Sequence, residues 1–125
     1  MAKKTAFAGT FATLRAILEP LEKELRVQTD KPGEYALCMP TLTDSIGRPL
    51  YFAGVRTGKS YVSYHLMPIY MNVRLAATIS PVLRRRMQGK SCFNFTTIDS
   101  AHVRELTALT KKGLESFRKL KPPTM

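Results

Sequence analysis

Phe7, Phe11, Leu14, Leu18, Leu21 and Leu25 recur at spacings of four and three, with Ile17 widening the stripe. That period places one apolar face on a helix. Pro20 lacks a backbone donor and crowds the preceding turn, so the helix should break near Glu19. Asp30-Lys31-Pro32-Gly33 is a turn signal. Short strands should flank it, near Leu25–Thr29 and near Tyr35–Met39, the second ended by Pro40. The segment Leu50–Leu66 reads as a hairpin, both arms rich in aromatic and β-branched residues, with Thr57-Gly58 as a two-residue turn. That register sets Arg56 opposite Lys59, Phe52 opposite Ser63 and Tyr51 opposite Tyr64. Tyr51, Ala53, Val55, Val62, Tyr64 and Leu66 then form a core face. Phe52, Gly54, Arg56, Lys59, Tyr61, Ser63 and His65 form a mixed aromatic and basic face.

Further along, Ser80-Pro81 predicts an N-cap and a proline in the first turn of a short helix, stopped by Gly89. Lys90–Phe95 should be a strand. Asp99 or Ser100 caps a final helix whose buried stripe is Val103, Leu106, Leu109, Leu114 and Phe117, with Gly113 as its weak point. The order helix, short strands, short helix, strand, long helix predicts an α+β two-layer domain, a mostly antiparallel sheet with helices packed on one face. At 125 residues, residues 1–125 form one domain, with a core over about 8–118 between a basic N-terminal and a proline-containing C-terminal tail.

Composition adds a partner class. The chain carries 20 Lys+Arg against 9 Asp+Glu, a net charge of +11. Residues 1–47 balance, so the whole excess lies from Arg48 onward. Such an imbalance favours anionic partners, either a phosphate compound or nucleic acid, and also favours plain solubility. Two cysteines, Cys38 and Cys92, make no disulfide framework and read as buried thiols. No apolar run reaches the ~20 residues a membrane span needs, so no membrane partner is expected. Met1-Ala-Lys-Lys before an apolar stretch loosely mimics a leader, but Arg15 interrupts it, and the expected location is the cytoplasm.

The runs Tyr51–Val55, Tyr61–Pro68, Ser80-Pro81 and Arg86–Phe95 resemble the YdhG-like family of small bacterial proteins, mostly domains of unknown function. The resemblance spans roughly residues 8–118 and is most specific over Met87–Phe95. It implies the same α+β layers and supplies no catalytic residues. A member of the wider family is described as a frataxin-like iron chaperone, a role that implies a carboxylate-rich surface. With 9 Asp+Glu and a +11 balance this chain departs from that, and the iron role is not carried over.

Candidate chemistry is sparse. Ala53–Ser60 fits a loose phosphate-loop pattern, yet the residues that follow are strand-like where that loop needs a helix. Cys38, His65, Cys92 and His102 lack metal-ligand spacing, so no metal and no cofactor are expected. Cys92 with His65 as base, oriented by Asn94, is the enzyme reading available. The binding reading uses Arg56, Lys59, Tyr61 and His65 on the mixed hairpin face, where rings beside cations can hold an anionic ligand. Arg84, Arg85 and Lys90 form a second cationic patch, although Arg84–Arg86 also complement a helix C-terminus. The last helix adds Arg104, Lys111, Lys112, Arg118 and Lys119 as a solvated face. A third reading is a homodimer formed through the mixed face. The expectation that follows is a non-catalytic binding or accessory module for an anionic ligand.

Overall fold

A computed structural model describes residues 2–120, with side chains from Phe7 onward. Helix α1 (Ala2–Leu18) leads into a 3-10 turn over Glu19–Lys23, with Pro20 in its first turn. The strands are β1 (Arg26–Lys31), β2 (Glu34–Thr43), β3 (Pro49–Thr57) and β4 (Val62–Leu66). Three short helices follow: α2 (Met67–Met71), α3 (Val73–Ala76) and α4 (Pro81–Arg84). Strands β5 (Met87–Gln88) and β6 (Cys92–Phe95) precede helix α5 (Ser100–Arg118). All six strands join one antiparallel sheet in the order β1-β2-β3-β4-β6-β5. The fold is α+β in two layers, as its sequence pattern predicts.

The core lies between one sheet face and helices α1 and α5. Leu14 and Leu18 of α1 and Leu106, Leu114 and Phe117 of α5 are buried against Tyr35, Leu37, Phe52, Val55, Tyr64, Phe93 and Phe95 of the strands. Phe52 meets Phe117 edge to face, with ring centroids 5.8 Å apart. Fully burying side chains of this size contributes about 1.5–3 kcal/mol each. Their polar atoms are matched. The Tyr64 hydroxyl bonds Thr110 Oγ1 at 2.6 Å, and Thr110 in turn donates to the Leu106 carbonyl at 2.7 Å. Tyr35 donates to Glu22, and the Arg15 guanidinium lies 4.2 Å over its ring.

Caps fall where the side chains place them. Ser80 Oγ accepts from Leu83 N at 3.1 Å, and Asp99 Oδ1 accepts from His102 N at 2.9 Å. Gly33, at φ 78°, completes the Pro32-Gly33 turn, which needs the left-handed backbone glycine supplies.

Several local expectations are corrected. Strand β2 runs through Pro40, because pairing with β3 lapses between Cys38 and Thr43 and no ladder donor is required there. Gly89 does not end α4, which stops at Arg84. It sits at φ 77° in the turn between β5 and β6. Gly113 is no weak point: a Cβ there would come within 2.8 Å of Pro68, so the bare backbone lets α2 dock on α5. The hairpin has a longer loop than Thr57-Gly58. Thr57 pairs with Val62, and Gly58–Tyr61 form the turn, closed by Gly58 N to Tyr61 O at 2.9 Å. Arg56 therefore faces Ser63, and Val55 faces Tyr64. The shift is an even number of residues, so most side chains keep their expected face.

Tyr51 and Phe52 are the exceptions. Leu37 pairs with Ala53 but Cys38 pairs with Tyr51, so Phe52 is the extra residue of a β-bulge. The bulge sends Phe52 into the core beside Ala53 and turns Tyr51 to the opposite face, reversing both expectations.

Candidate functional site

The sheet face away from α1 and α5 holds a concavity of about 520 Å³ whose lining comes from strand residues alone. Two ladder rows cross this face and supply part of its lining. One runs Ala36, Gly54, His65, Cys92 and Gln88 across β2, β3, β4, β6 and β5. The other runs Glu34, Arg56, Ser63 and Asn94. The bulge lays Tyr51 over Gly54, with its ring 5.0 Å from the His65 ring. A glycine inside a strand marks such a close approach.

Polar side chains tie the β4–β6–β5 side together. Ser63 Oγ donates to Asn94 Oδ1 at 2.6 Å, and Asn94 Nδ2 donates to Gln88 Oε1 at 2.6 Å. The Tyr61 hydroxyl donates to the same Gln88 oxygen at 3.0 Å. Among the described residues, the Tyr51 hydroxyl and the His65 ring nitrogens have no hydrogen-bond partner within the protein.

Burial keeps these groups uncharged. It pushes the Tyr51 hydroxyl well above its usual range, helped by Cys92 and Glu34, and pushes His65 below 6.5. The fixed positive charge is Arg56. Among the described residues no carboxylate lies within 4.0 Å of it. Glu34, its partner in register, has its nearest ion pair with Lys31 at 3.6 Å instead.

The sequence-derived candidates divide between two places. Arg56 and His65 line the concavity together. Lys59 stands exposed on the β3–β4 loop, and Tyr61 is held at the β5 side by Gln88. Arg84, Arg85 and Lys90 belong elsewhere, on and after α4. Arg84 Nη2 donates to the carbonyls of Ala76 at 3.0 Å and Ile79 at 3.3 Å, so it fastens α4 to α3. Arg85 is the exposed C-cap of α4, and Lys90 lies 5.9 Å over the Tyr70 ring. Tyr51 and Ser63 also line the concavity, and the Asn94–Gln88 pair braces Ser63 from outside the lining. Gly54 was the one available signal for Tyr51, since an interior glycine flags a bulge.

Cys92 and His65 do meet, as direct partners across β4 and β6. Burial raises the Cys92 thiol, only partly opposed by Ser91, and lowers His65. Both shifts oppose a thiolate–imidazolium pair, and the activated nucleophile needs that pair or a base hydrogen-bonded to it. His102 lies on the other sheet face, its ring 5.4 Å from Phe95 in the core. Among the described residues no three His, Cys, Asp or Glu side chains gather to hold a metal, and no helix is long and apolar enough to cross a membrane. Ala53–Ser60 is part of a hairpin followed by strand β4, which leaves no helix N-terminus for a phosphate loop.

Comparison with protein-family models, with curated proteins and with solved structures finds no match to this chain.

Proposed function

We propose that this chain is a non-catalytic binding module that takes a small anionic ligand, such as a phosphate compound, in the concavity on the open sheet face. One observation carries the reading: Arg56 borders that concavity with no carboxylate within 4.0 Å among the described residues. An unpaired guanidinium is a fork of donors matched to phosphate or carboxylate oxygens. The neutral Tyr51 hydroxyl and His65 ring add hydrogen bonds without adding charge, and their rings form an apolar wall. A volume of about 520 Å³ is that of a small-molecule site, which favours a compact ligand over a nucleic-acid strand. The net charge of +11 raises the local concentration of either. A cytoplasmic location and the resemblance to YdhG-like proteins belong to the same proposal, resting on the free thiols of Cys38 and Cys92 and on the Tyr61–Pro68 and Arg86–Phe95 runs.

Calorimetric titration with phenyl phosphate tests it. Losing a hydrogen bond to a charged group costs about 1.5–3 kcal/mol, so Arg56→Ser should weaken binding about 10- to 100-fold. Equal binding by wild type and variant, or none by wild type, overturns the reading.

A further inference from the structure

The segment between β4 and β6 is a different surface from the sheet concavity. Residues 67–90 carry Arg74, Arg84, Arg85, Arg86 and Lys90 and no Asp or Glu. Its three helices of four or five residues are pinned from below by Pro68, Ile69, Leu75, Ile79 and Leu83, all buried. Met67, Ala76 and Met87 also pack partly against the core, and Asn72 Nδ2 donates to Ser116 Oγ at 3.2 Å, while other side chains of the segment point outward. Among them Tyr70 is 58% exposed, Met71 49%, Val73 81% and Val82 58%. Among the described residues, half of the exposed large hydrophobic side chains therefore lie on one acid-free segment.

The basic and apolar groups interleave. Lys90 reaches over the Tyr70 ring at 5.9 Å, and Arg84 bridges α3 to α4, setting Val73 and Val82 on linked helices. Nearby acids are few: Glu115 of α5 shares a groove with Arg74, Lys112 and Lys119, and two others are engaged. Glu105 of α5 accepts from Ser80 N at 2.8 Å and Ser80 Oγ at 2.6 Å. Asp99, which feels the charge of Arg86, caps α5 through His102 N.

We propose that the α2–α4 surface docks on an anionic lipid bilayer. Cations at a bilayer meet the negative headgroups, while exposed aliphatic side chains enter the acyl boundary and an aromatic ring sits at headgroup level. Met71, Val73 and Val82 distinguish this partner from nucleic acid. A bilayer gives aliphatic side chains an apolar phase, whereas a nucleic-acid strand asks for stacking rings beside cations. Attachment is peripheral, by three short helices lying on the surface, so the proposal departs from the expectation of no membrane partner, which rested on the lack of a spanning segment.

Co-sedimentation of the full chain with vesicles tests the proposal, comparing phosphatidylcholine alone with a mixture containing phosphatidylserine. Wild type should pellet with the mixed vesicles and stay in solution with phosphatidylcholine alone. Each Lys or Arg near the surface is worth roughly fivefold in partition, so R85S/R86S/K90S should bind on the order of 100-fold more weakly. V73D/V82D alters two exposed positions and no buried one. It should also lose binding while keeping the wild-type melting temperature. R56S, in the sheet concavity, should bind vesicles like wild type, which separates this surface from the ligand site. Wild type failing to pellet at low salt overturns the proposal, as does undiminished pelleting of V73D/V82D. Tight binding to a single-stranded oligonucleotide that displaces the vesicles and ignores V73D/V82D overturns it in favour of nucleic acid.

Discussion

Glu34 faces Arg56 across β2 and β3, yet the carboxylate pairs with Lys31 at 3.6 Å and leaves the guanidinium open to the concavity. Glu34 still places a negative charge on the rim of the site. Beyond about 4 Å in water-like surroundings, one unit charge acts on another by less than about 1 kcal/mol. Glu34→Gln should therefore tighten phenyl phosphate binding about threefold, measured by calorimetry at low salt. Weaker binding by this variant would mean that Glu34 contacts the ligand.

Gly54 is the second point of dependence. A Cβ there would collide with the Tyr51 hydroxyl and come within 2.9 Å of the Tyr35 carbonyl. Overpacking of this kind costs about 1–3 kcal/mol, so Gly54→Ala should lower the urea midpoint accordingly. Tyr51→Phe added to it should recover part of the loss and no more, because the backbone carbonyl remains. A Gly54→Ala protein as stable as wild type would contradict the packing of Tyr51 over β3.

The Cys92 thiol should react slowly. Burial holds it above the range of a free thiol, and lowered basicity leaves His65 poorly placed to ionise it. Alkylation by iodoacetamide at pH 7.5 should proceed more slowly at Cys92 than in free cysteine, and more slowly still at the buried Cys38. Alkylation of Cys92 faster than free cysteine would restore the nucleophile reading.

His65 also predicts a pH dependence. Its folded pKa lies below the ordinary 6.5, so between those two values the unfolded chain binds the extra proton. Stability is then full above pH 6.5 and falls as pH drops through that window. Denaturant titrations from pH 7.5 to 5 should show this decline, and His65→Gln should flatten it. An unchanged slope in the variant would remove His65 as its source.

Much of this fold was legible because local chemistry decides it. The stripe from Phe7 to Leu18, the Pro32-Gly33 turn, and the Ser80 and Asp99 caps each depend on neighbours within a few residues. Helices α2 and α3 were not legible, since four or five residues are too short to show a period. The Thr57-Gly58 pair signals a two-residue turn, whereas the β3–β4 ladder sets Arg56 opposite Ser63, four residues from that register. Arg56 and His65 still share a face, because the error was even, whereas one extra residue at Phe52 exchanged the faces of Tyr51 and Phe52. Arg84 looked like a free cation, and only the fold-back of α3 brings it the carbonyls of Ala76 and Ile79.

Chemical-shift mapping during a phenyl phosphate titration tests the central claim most directly. Binding in the concavity should move the Arg56 side-chain, His65 ring and Ser63 amide resonances together, saturably, and leave Arg85 and Lys90 unmoved. Shifts confined to residues 84–90, or no saturable shift at Arg56 and His65, would contradict the assignment of the open sheet face as the ligand site.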